Sequence, residues 1–141
     1  VARKLLVLAR ELELKNEWDE IDIQNLIPEQ LQKISTVEFL SRPDALEIYY
    51  DPIKDRLKPG YVFRYVGELS GDLQLEKGLL TTQLIEISEN SALGQLKGSD
   101  SIFEIYTESY GDNPIVIQGA GAGANVTARG VFGDILRLSV K

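Results

Sequence analysis

The stretch IVIQGAGAGANVTARG, residues 115–130, carries the clearest structural pattern in this chain. Its first four residues predict a short strand, glycines follow at Gly119, Gly121 and Gly123, and residues 125–140 predict a helix. A glycine-rich turn between a strand and a helix lets the backbone approach an anionic or dipolar ligand, because the free N–H groups of the first helical turn face it. The alternative is a tight junction whose glycines serve packing alone.

The same stretch satisfies the G-x-G-x-x-G/A spacing of dinucleotide-binding loops. That fold also needs a second parallel strand after the helix and an acidic residue about 20 positions further on. The chain reaches Lys141 within the predicted helix or just beyond it, so this segment is not a complete dinucleotide fold. Gly130 and Gly133 lie inside the predicted helix, where each glycine costs about 1 kcal/mol. They indicate close packing or binding at the helix surface.

Helical patterns precede the strands. Residues 1–14 are apolar around most of the helix circumference, which predicts a buried helix. Ser35 or Thr36 is expected to cap a second helix that has Glu38 in its first turn. A further helical stretch, residues 43–58, is expected to be interrupted at Pro52.

Strand patterns occupy most of the rest of the chain. Residues 61–69 and 102–109 each predict a strand, residues 18–26 a weak one, and residues 73–87 one long strand or two with a break near Gly78. Strands that follow one another through short turns favour antiparallel pairing. We therefore expect an α+β fold in one domain over residues 1–141. A mixed, largely antiparallel sheet would pack with helices, and the two terminal helices would flank it.

Composition restricts the chemistry. The 141 residues include no Cys and no His, which excludes disulfides, thiol nucleophiles, His-based triads and the usual zinc sites, and we expect no metal. A general acid or base must then be Lys, Tyr, Asp or Glu. The net charge of −7 disfavours a nucleic-acid surface. No apolar run approaches the roughly 20 residues of a membrane span, and no secretory signal pattern is present.

The beginning of the chain predicts that it was cut from a longer protein. Val1 enters the helical pattern directly, without a capping residue, and the sequence contains no Met. The alternative is a complete domain that has lost a leader.

Two distant segments together resemble the homoserine dehydrogenase family. Residues 1–4, VARK, match the end of its G-x-D-x-A-R-K helix pattern, and residues 63–69 and 96–110 resemble two of its strands, with Ser101 where Asn is usual. The family's terminal motif, Q-G-x-G-A-G-x-x-V-T-A-x-G-V, is matched in this chain by Gln118, Gly119, Gly121, Ala122, Gly123, Val126, Thr127, Ala128, Gly130 and Val131.

The resemblance implies a cytoplasmic oxidoreductase of threonine, methionine and isoleucine biosynthesis. It would reduce L-aspartate 4-semialdehyde to L-homoserine with NADP or NAD as cofactor, bound mainly by a Rossmann domain that this chain lacks. The chain would be the substrate-binding domain, dimeric through its sheet and inactive alone. Lys4 would be the general acid/base, its partner aspartate would precede Val1, and Gly123, with Gly121 and Gly119, would approach the cofactor.

The residues agree with that chemistry, but alternatives stay open. A cation stabilises the charge that develops on the carbonyl oxygen, and apolar neighbours around Lys4 would favour the neutral amine. An ordinary surface lysine is the alternative, and the whole chain could instead be a non-catalytic assembly module. The choice of NADP or NAD also stays open. A bifunctional parent with aspartate kinase is favoured, because the chain stops after the terminal helix.

Overall fold

The computed structural model describes residues 1–72 and 74–139. The chain divides into two units, Val1–Ser88 and Glu89–Lys141, which are described separately. The first unit combines a mixed three-stranded sheet with helices, and the second has a two-stranded antiparallel ribbon and one long helix. The predicted α+β class with mostly antiparallel pairing is confirmed, and the strands are divided between two sheets.

Helix α1, Ala2–Glu11, packs on the sheet of the first unit through one face only. Ala2, Leu5 and Ala9 recur at i, i+3 and i+7, and they are the buried residues of this helix. Val7 remains 59% exposed. The prediction of a helix buried around most of its circumference is therefore wrong for this unit, because the sheet covers only one side of the helix.

The C-terminus of α1 explains how the chain turns toward the sheet. Glu13 adopts a positive φ of 63°, and the following N–H of Leu14 donates to the Ala9 carbonyl at 2.9 Å, while the Glu13 N–H donates to the Arg10 carbonyl at 3.0 Å. This pair of bonds is a Schellman motif, which usually has glycine at the left-handed position. Leu14 is only 3% exposed, so the motif places it directly in the core.

The sheet of the first unit has the order β1-β3-β2. Strands β2 (Tyr61–Ser70) and β3 (Leu79–Ser88) pair antiparallel over their full length, from Tyr61↔Ser88 to Ser70↔Leu79. Strand β1, Asp22–Ile23, adds a short parallel pairing to β3. The strand predicted for residues 18–26 is thus only two residues long. A 3₁₀ turn at Trp18–Glu20 precedes it, where the Glu20 carboxylate accepts the Glu17 N–H.

The predicted break near Gly78 marks the start of β3. Asn16, 2% exposed, makes two hydrogen bonds with the Gly78 backbone: its Nδ2 donates to the carbonyl at 3.0 Å and its Oδ1 accepts the N–H at 2.9 Å. The Asn16 side-chain amide thereby makes the two hydrogen bonds with Gly78 that a neighbouring strand would otherwise make. Residue 73, where the predicted strand began, lies outside the described residues.

Three helices connect β1 to β2: α2 (Glu29–Gln32), α3 (Thr36–Leu40) and α4 (Asp44–Lys54). Ser35 caps α3, because its side chain accepts the Glu38 N–H at 3.2 Å. Helix α4 continues through Pro52, so the predicted interruption does not occur. Pro52 lies close to the end of the helix, where few backbone bonds remain to be lost.

The hydrophobic core lies in the first unit, between α1 and the sheet. Leu6 and Leu69 pack against it from partly buried positions. Its buried members are Ala2, Leu5, Ala9, Leu14, Ile21 and Leu80.

The second unit contains β4 (Asp100–Ile105), β5 (Ile115–Ala120) and α5 (Ala124–Ser139). The two strands pair antiparallel from Asp100↔Ala120 to Ile105↔Ile115. Strand β4 is shorter than residues 102–109 and starts earlier, and β5 extends through Gly119, which was expected in the turn. Residue 140, the predicted end of the last helix, lies outside the described residues. Across the described part of the chain, no helix is long and apolar enough to cross a membrane.

Candidate functional site

The predicted glycine segment forms the junction between β5 and α5. Gly119 is still paired in β5, opposite Ser101, whereas Gly121 and Gly123 follow the strand end. The Gly123 carbonyl accepts the Thr127 N–H at 3.0 Å, which is the first bond of the helix. The N–H groups of the residues in between have no carbonyl ahead of them in the helix. The start of α5, directly after the glycine segment, therefore presents backbone N–H groups at the positive end of a 16-residue helix.

Gly123 has a conformation that requires glycine. Its φ is +120°, where side chains are strained, and no described atom of its own unit lies within 4 Å of the position that a Cβ would take. The backbone here is open to a molecule from outside the unit. The close approach of Gly123 to a ligand stays a prediction.

Residues 99–101 are neighbours of the glycine segment that the sequence did not single out for this role. The Gly121 N–H donates to the Ser99 carbonyl at 3.0 Å, and the Gln118 side chain donates from Nε2 to Asp100 Oδ2 at 3.2 Å. Ser101 lies directly against Gly121. Only the β4–β5 register brings these residues together, and a sequence pattern does not reveal a register.

Lys4 lies on α1, in the first unit, and its side chain is exposed. Within the described residues its ammonium group forms no ion pair. Val7 and Leu8, its i+3 and i+4 neighbours, are 59% and 38% exposed. The expected burial of Lys4 among apolar neighbours is therefore not provided by this unit, because Lys4 faces away from the sheet that covers Ala2, Leu5 and Ala9.

Hydrogen bonds between surface side chains shift the pKa values of Glu20, Lys77 and Tyr106. The Lys77 ammonium, hydrogen-bonded to Glu20, lowers the pKa of that carboxyl group, and the same bond raises the pKa of Lys77. The Tyr106 hydroxyl donates to Glu104 Oε2 at 3.0 Å, and this hydrogen bond raises the pKa of Tyr106. These pairs stabilise local structure and do not involve the predicted site residues. Among the described residues, no cluster of acidic side chains could hold a metal ion.

A separate apolar hollow of about 330 Å³ lies in the first unit. Tyr50 lies at its edge, where its hydroxyl donates to the Leu26 carbonyl at 2.5 Å, and Lys54 is the one charged residue of the lining. None of the predicted site residues contributes to it. Its remaining lining residues are Ile27, Leu46, Phe63 and Leu84.

Comparison with known proteins places the two predicted segments within a single family match. The family model described as homoserine dehydrogenase matches residues 1–136, which include both Lys4 and the glycine segment. The bifunctional aspartokinase/homoserine dehydrogenase 2 of Arabidopsis thaliana, named as chloroplastic, is 41% identical over 143 residues, which cover 99% of this chain and 15% of that protein. The homoserine dehydrogenase of Paracoccidioides brasiliensis is 38% identical and is covered to 37% of its length.

One solved structure is also similar to this chain in fold and sequence. The crystal structure of a protein of unknown function from Candida auris superposes with a TM-score of 0.70 at 34% identity, over 98% of this chain and 38% of that one. The chain thus spans well under half the length of the proteins that it matches. Because the family model covers nearly all of the sequence, the chain belongs to the homoserine dehydrogenase family.

Proposed function

We propose that this chain is the substrate-binding and dimerisation part of an enzyme that reduces L-aspartate 4-semialdehyde to L-homoserine with NADPH or NADH, in the biosynthesis of threonine, methionine and isoleucine. The observation that carries the proposal is one family match that includes both Lys4 and the Gly119–Gly123 segment. The chain covers 15% and 37% of the two relatives described above. The nucleotide-binding part of the enzyme would therefore lie outside it, and the isolated chain would have no activity.

The glycine segment fits a position at the edge of a nicotinamide cofactor. Gly119 and Gly123 leave open backbone where a Cβ would otherwise stand. The start of α5 adds N–H groups and a positive helix end, which attract anionic or dipolar groups. When bound, the cofactor supplies the hydride that reduces the aldehyde carbon. The segment would hold the cofactor in place from the substrate side while another domain binds most of it.

Lys4 would supply the proton. As the aldehyde carbon is reduced, negative charge develops on the carbonyl oxygen, and the Lys4 ammonium group stabilises that charge and donates a proton to the oxygen. The products are an alcohol and a neutral amine, which regains its proton from solvent. In the reverse direction the neutral amine would accept the proton from the hydroxyl group of homoserine.

The surroundings of Lys4 support a role at an interface with another part of the enzyme. Val7 and Leu8, which lie one helical turn from Lys4 on α1, are exposed apolar side chains. An exposed apolar surface beside a charged group is typical of a binding site that a second body completes. Closure of that surface would exclude water and strengthen the interaction between Lys4 and the developing oxyanion.

Substitution of Lys4 in the intact enzyme tests the proposal. We expect Lys4→Ala to lower kcat by about 10²- to 10⁴-fold, the usual contribution of a general acid or base, without loss of the dimer. Lys33→Ala removes another exposed lysine and serves as the control, with kcat expected to stay at the wild-type value. An unchanged kcat in Lys4→Ala would refute the catalytic role.

A second candidate function is a non-catalytic assembly module. The ribbon of the second unit favours it, because one face carries four large apolar side chains that are 41–56% exposed: Phe103, Ile105, Ile115 and Ile117. We propose that this ribbon face forms a homodimer interface in either case. The Lys4 experiment separates the two functions, since an assembly module would retain its dimer and show no kinetic effect.

The finer assignments rest on the family alone. We propose NADP or NAD as the cofactor, without a preference that this chain determines, and a parent protein that is bifunctional with aspartate kinase. The Arabidopsis relative carries both names and is named as chloroplastic. For this chain we propose the cytoplasm, and fractionation of the source cells with an antibody against residues 1–141 would test it.

A further inference from the structure

The three glycines of the segment differ in what surrounds them. A Cβ built on Gly121 would overlap the Ser101 Oγ and lie 2.5 Å from the Ser101 Cβ. Real Cβ atoms do not approach other atoms this closely, so any side chain at this position would displace Ser101. For Gly119 and Gly123, by contrast, no described atom of their own unit lies within 4 Å of the built Cβ.

Backbone conformation does not explain the glycine at position 121. Gly121 is not among the glycines with positive φ, whereas Gly123 is. Its N–H donates to the Ser99 carbonyl, which holds it against the start of β4. In the register, Ser101 lies opposite Gly119, so Gly121 is its diagonal neighbour on the same face of the ribbon. The Ser101 side chain leans over it and fills the space that a Cβ would need.

We propose that Ser101 is a positioning residue for the cofactor-facing segment, and that Gly121 is glycine in order to accommodate Ser101. This inference rests on the proposed function for its cofactor-binding part, and on packing for the rest. It divides the motif by role. Gly121 locks the segment onto β4, while Gly119 and Gly123 leave the backbone open toward the ligand.

A size exchange between the two positions tests the packing. In the full-length enzyme, Gly121→Ala is expected to lower the unfolding temperature or to prevent folding. The double variant Ser101→Gly/Gly121→Ala should recover to the level of Ser101→Gly alone, because the Ser101 Oγ and Cβ are then gone and the next atom, the Ser101 N, is 3.5 Å from the new Cβ. Ser101→Ala/Gly121→Ala should recover less, since its Cβ remains. Gly119→Ala is the matched control for stability.

Two results would overturn the packing argument. One is a Gly121→Ala enzyme as stable as Gly119→Ala. The other is a double variant that stays as unstable as Gly121→Ala, which would mean that something other than Ser101 requires the glycine. These measurements of unfolding need no catalysis, so they remain informative even if the wild-type enzyme fails to reduce aspartate semialdehyde.

Cofactor affinity tests the positioning role. In folded Ser101→Gly enzyme, the Kd for NADPH or NADH, whichever the wild type binds more tightly, should rise by about tenfold when measured by the fluorescence of the cofactor. The Kd of Ser101→Ala should lie between it and the wild type. A tenfold rise corresponds to about 1.4 kcal/mol of binding free energy, the loss expected when part of the backbone contact to the cofactor is misplaced. A Kd equal to that of the wild type in Ser101→Gly would reduce Ser101 to a purely structural residue and refute the positioning role.

Discussion

The two units of the molecule differ in whether they contain a cluster of buried apolar side chains. In the first, Leu5 and Leu80 are 5% and 2% exposed, in a core between α1 and the sheet. In the second, Ile117 of the ribbon and Ile135 of α5 are each 56% exposed. All the buried apolar residues that define the core belong to the first unit. The described part of the second unit has no such cluster, so we expect surfaces outside this unit to cover its apolar side chains.

This difference supports the interface surfaces proposed above. Exposed apolar surface of this extent on a folded protein usually marks an interface. The second unit also holds the glycine segment, and Lys4 lies outside the face of α1 that packs on the core. A domain whose site is completed by other bodies would have this distribution. The expected effects of substitution differ between the units accordingly.

The largest expected effect is in the core of the first unit. Leu80→Ala removes a side chain that is 2% exposed, and we expect a loss of about 2–5 kcal/mol in the free energy of unfolding, as for other buried leucines. Leu79→Ala is the matched control on the same strand, because Leu79 is 66% exposed and should change stability by about 0.5 kcal/mol or less. Urea denaturation measures both. Equal losses would show that the first unit has no separate core.

A smaller effect is expected at the junction between α1 and β3. Asn16→Ala leaves the Gly78 N–H and carbonyl without their partner, which should cost about 1–3 kcal/mol in a buried position. Asn25→Ala removes an exposed side chain that accepts only the Ile27 N–H. It should cost about 1 kcal/mol or less. Thermal unfolding of the two variants compares them, and a smaller loss for Asn16 than for Asn25 would contradict the role of this junction.

The smallest effect on folding is expected in the ribbon face, where the change should appear in assembly instead. Ile117→Lys should raise the dissociation constant of the homodimer by at least about tenfold, or ~1.4 kcal/mol, while the unfolding of the first unit stays unchanged. Val116→Lys is the matched control, because Val116 is 44% exposed on the opposite face of the same strand. Sedimentation velocity of the full-length enzyme measures both. A dimer weakened more by Val116→Lys would place the interface on the other face.

Several elements could be predicted from the sequence because their signals are local. The apolar period of α1, the aromatic and β-branched residues of β2 and the cap at Ser35 each involve residues within a few positions of one another. The glycine segment was also predicted as a strand-to-helix junction, and the structure confirms that arrangement. The family resemblance added Lys4, which composition and period alone could not distinguish from a surface lysine.

Other features depended on contacts between distant residues. Helix α4 continues through Pro52, and β5 extends to include Gly119, because neighbouring structure determines where elements end. The exposure of Lys4 followed from the single sheet that covers α1, which no helical period reveals. In the same way, the packing of the Ser101 side chain over Gly121 depends on the β4–β5 register.

By itself, the sequence determined the fold class, the order of the main elements and the family, since these depend on local periodicity and on motifs that are read along the chain. Only the tertiary structure decided which face of each element is covered, and which contact or backbone conformation calls for glycine at positions 121 and 123. Burial depends on what packs against an element, and strand register depends on pairing across 18–20 residues, from Gly119 to Ser101 and from Ala120 to Asp100. Neither quantity is encoded at a single position of the chain.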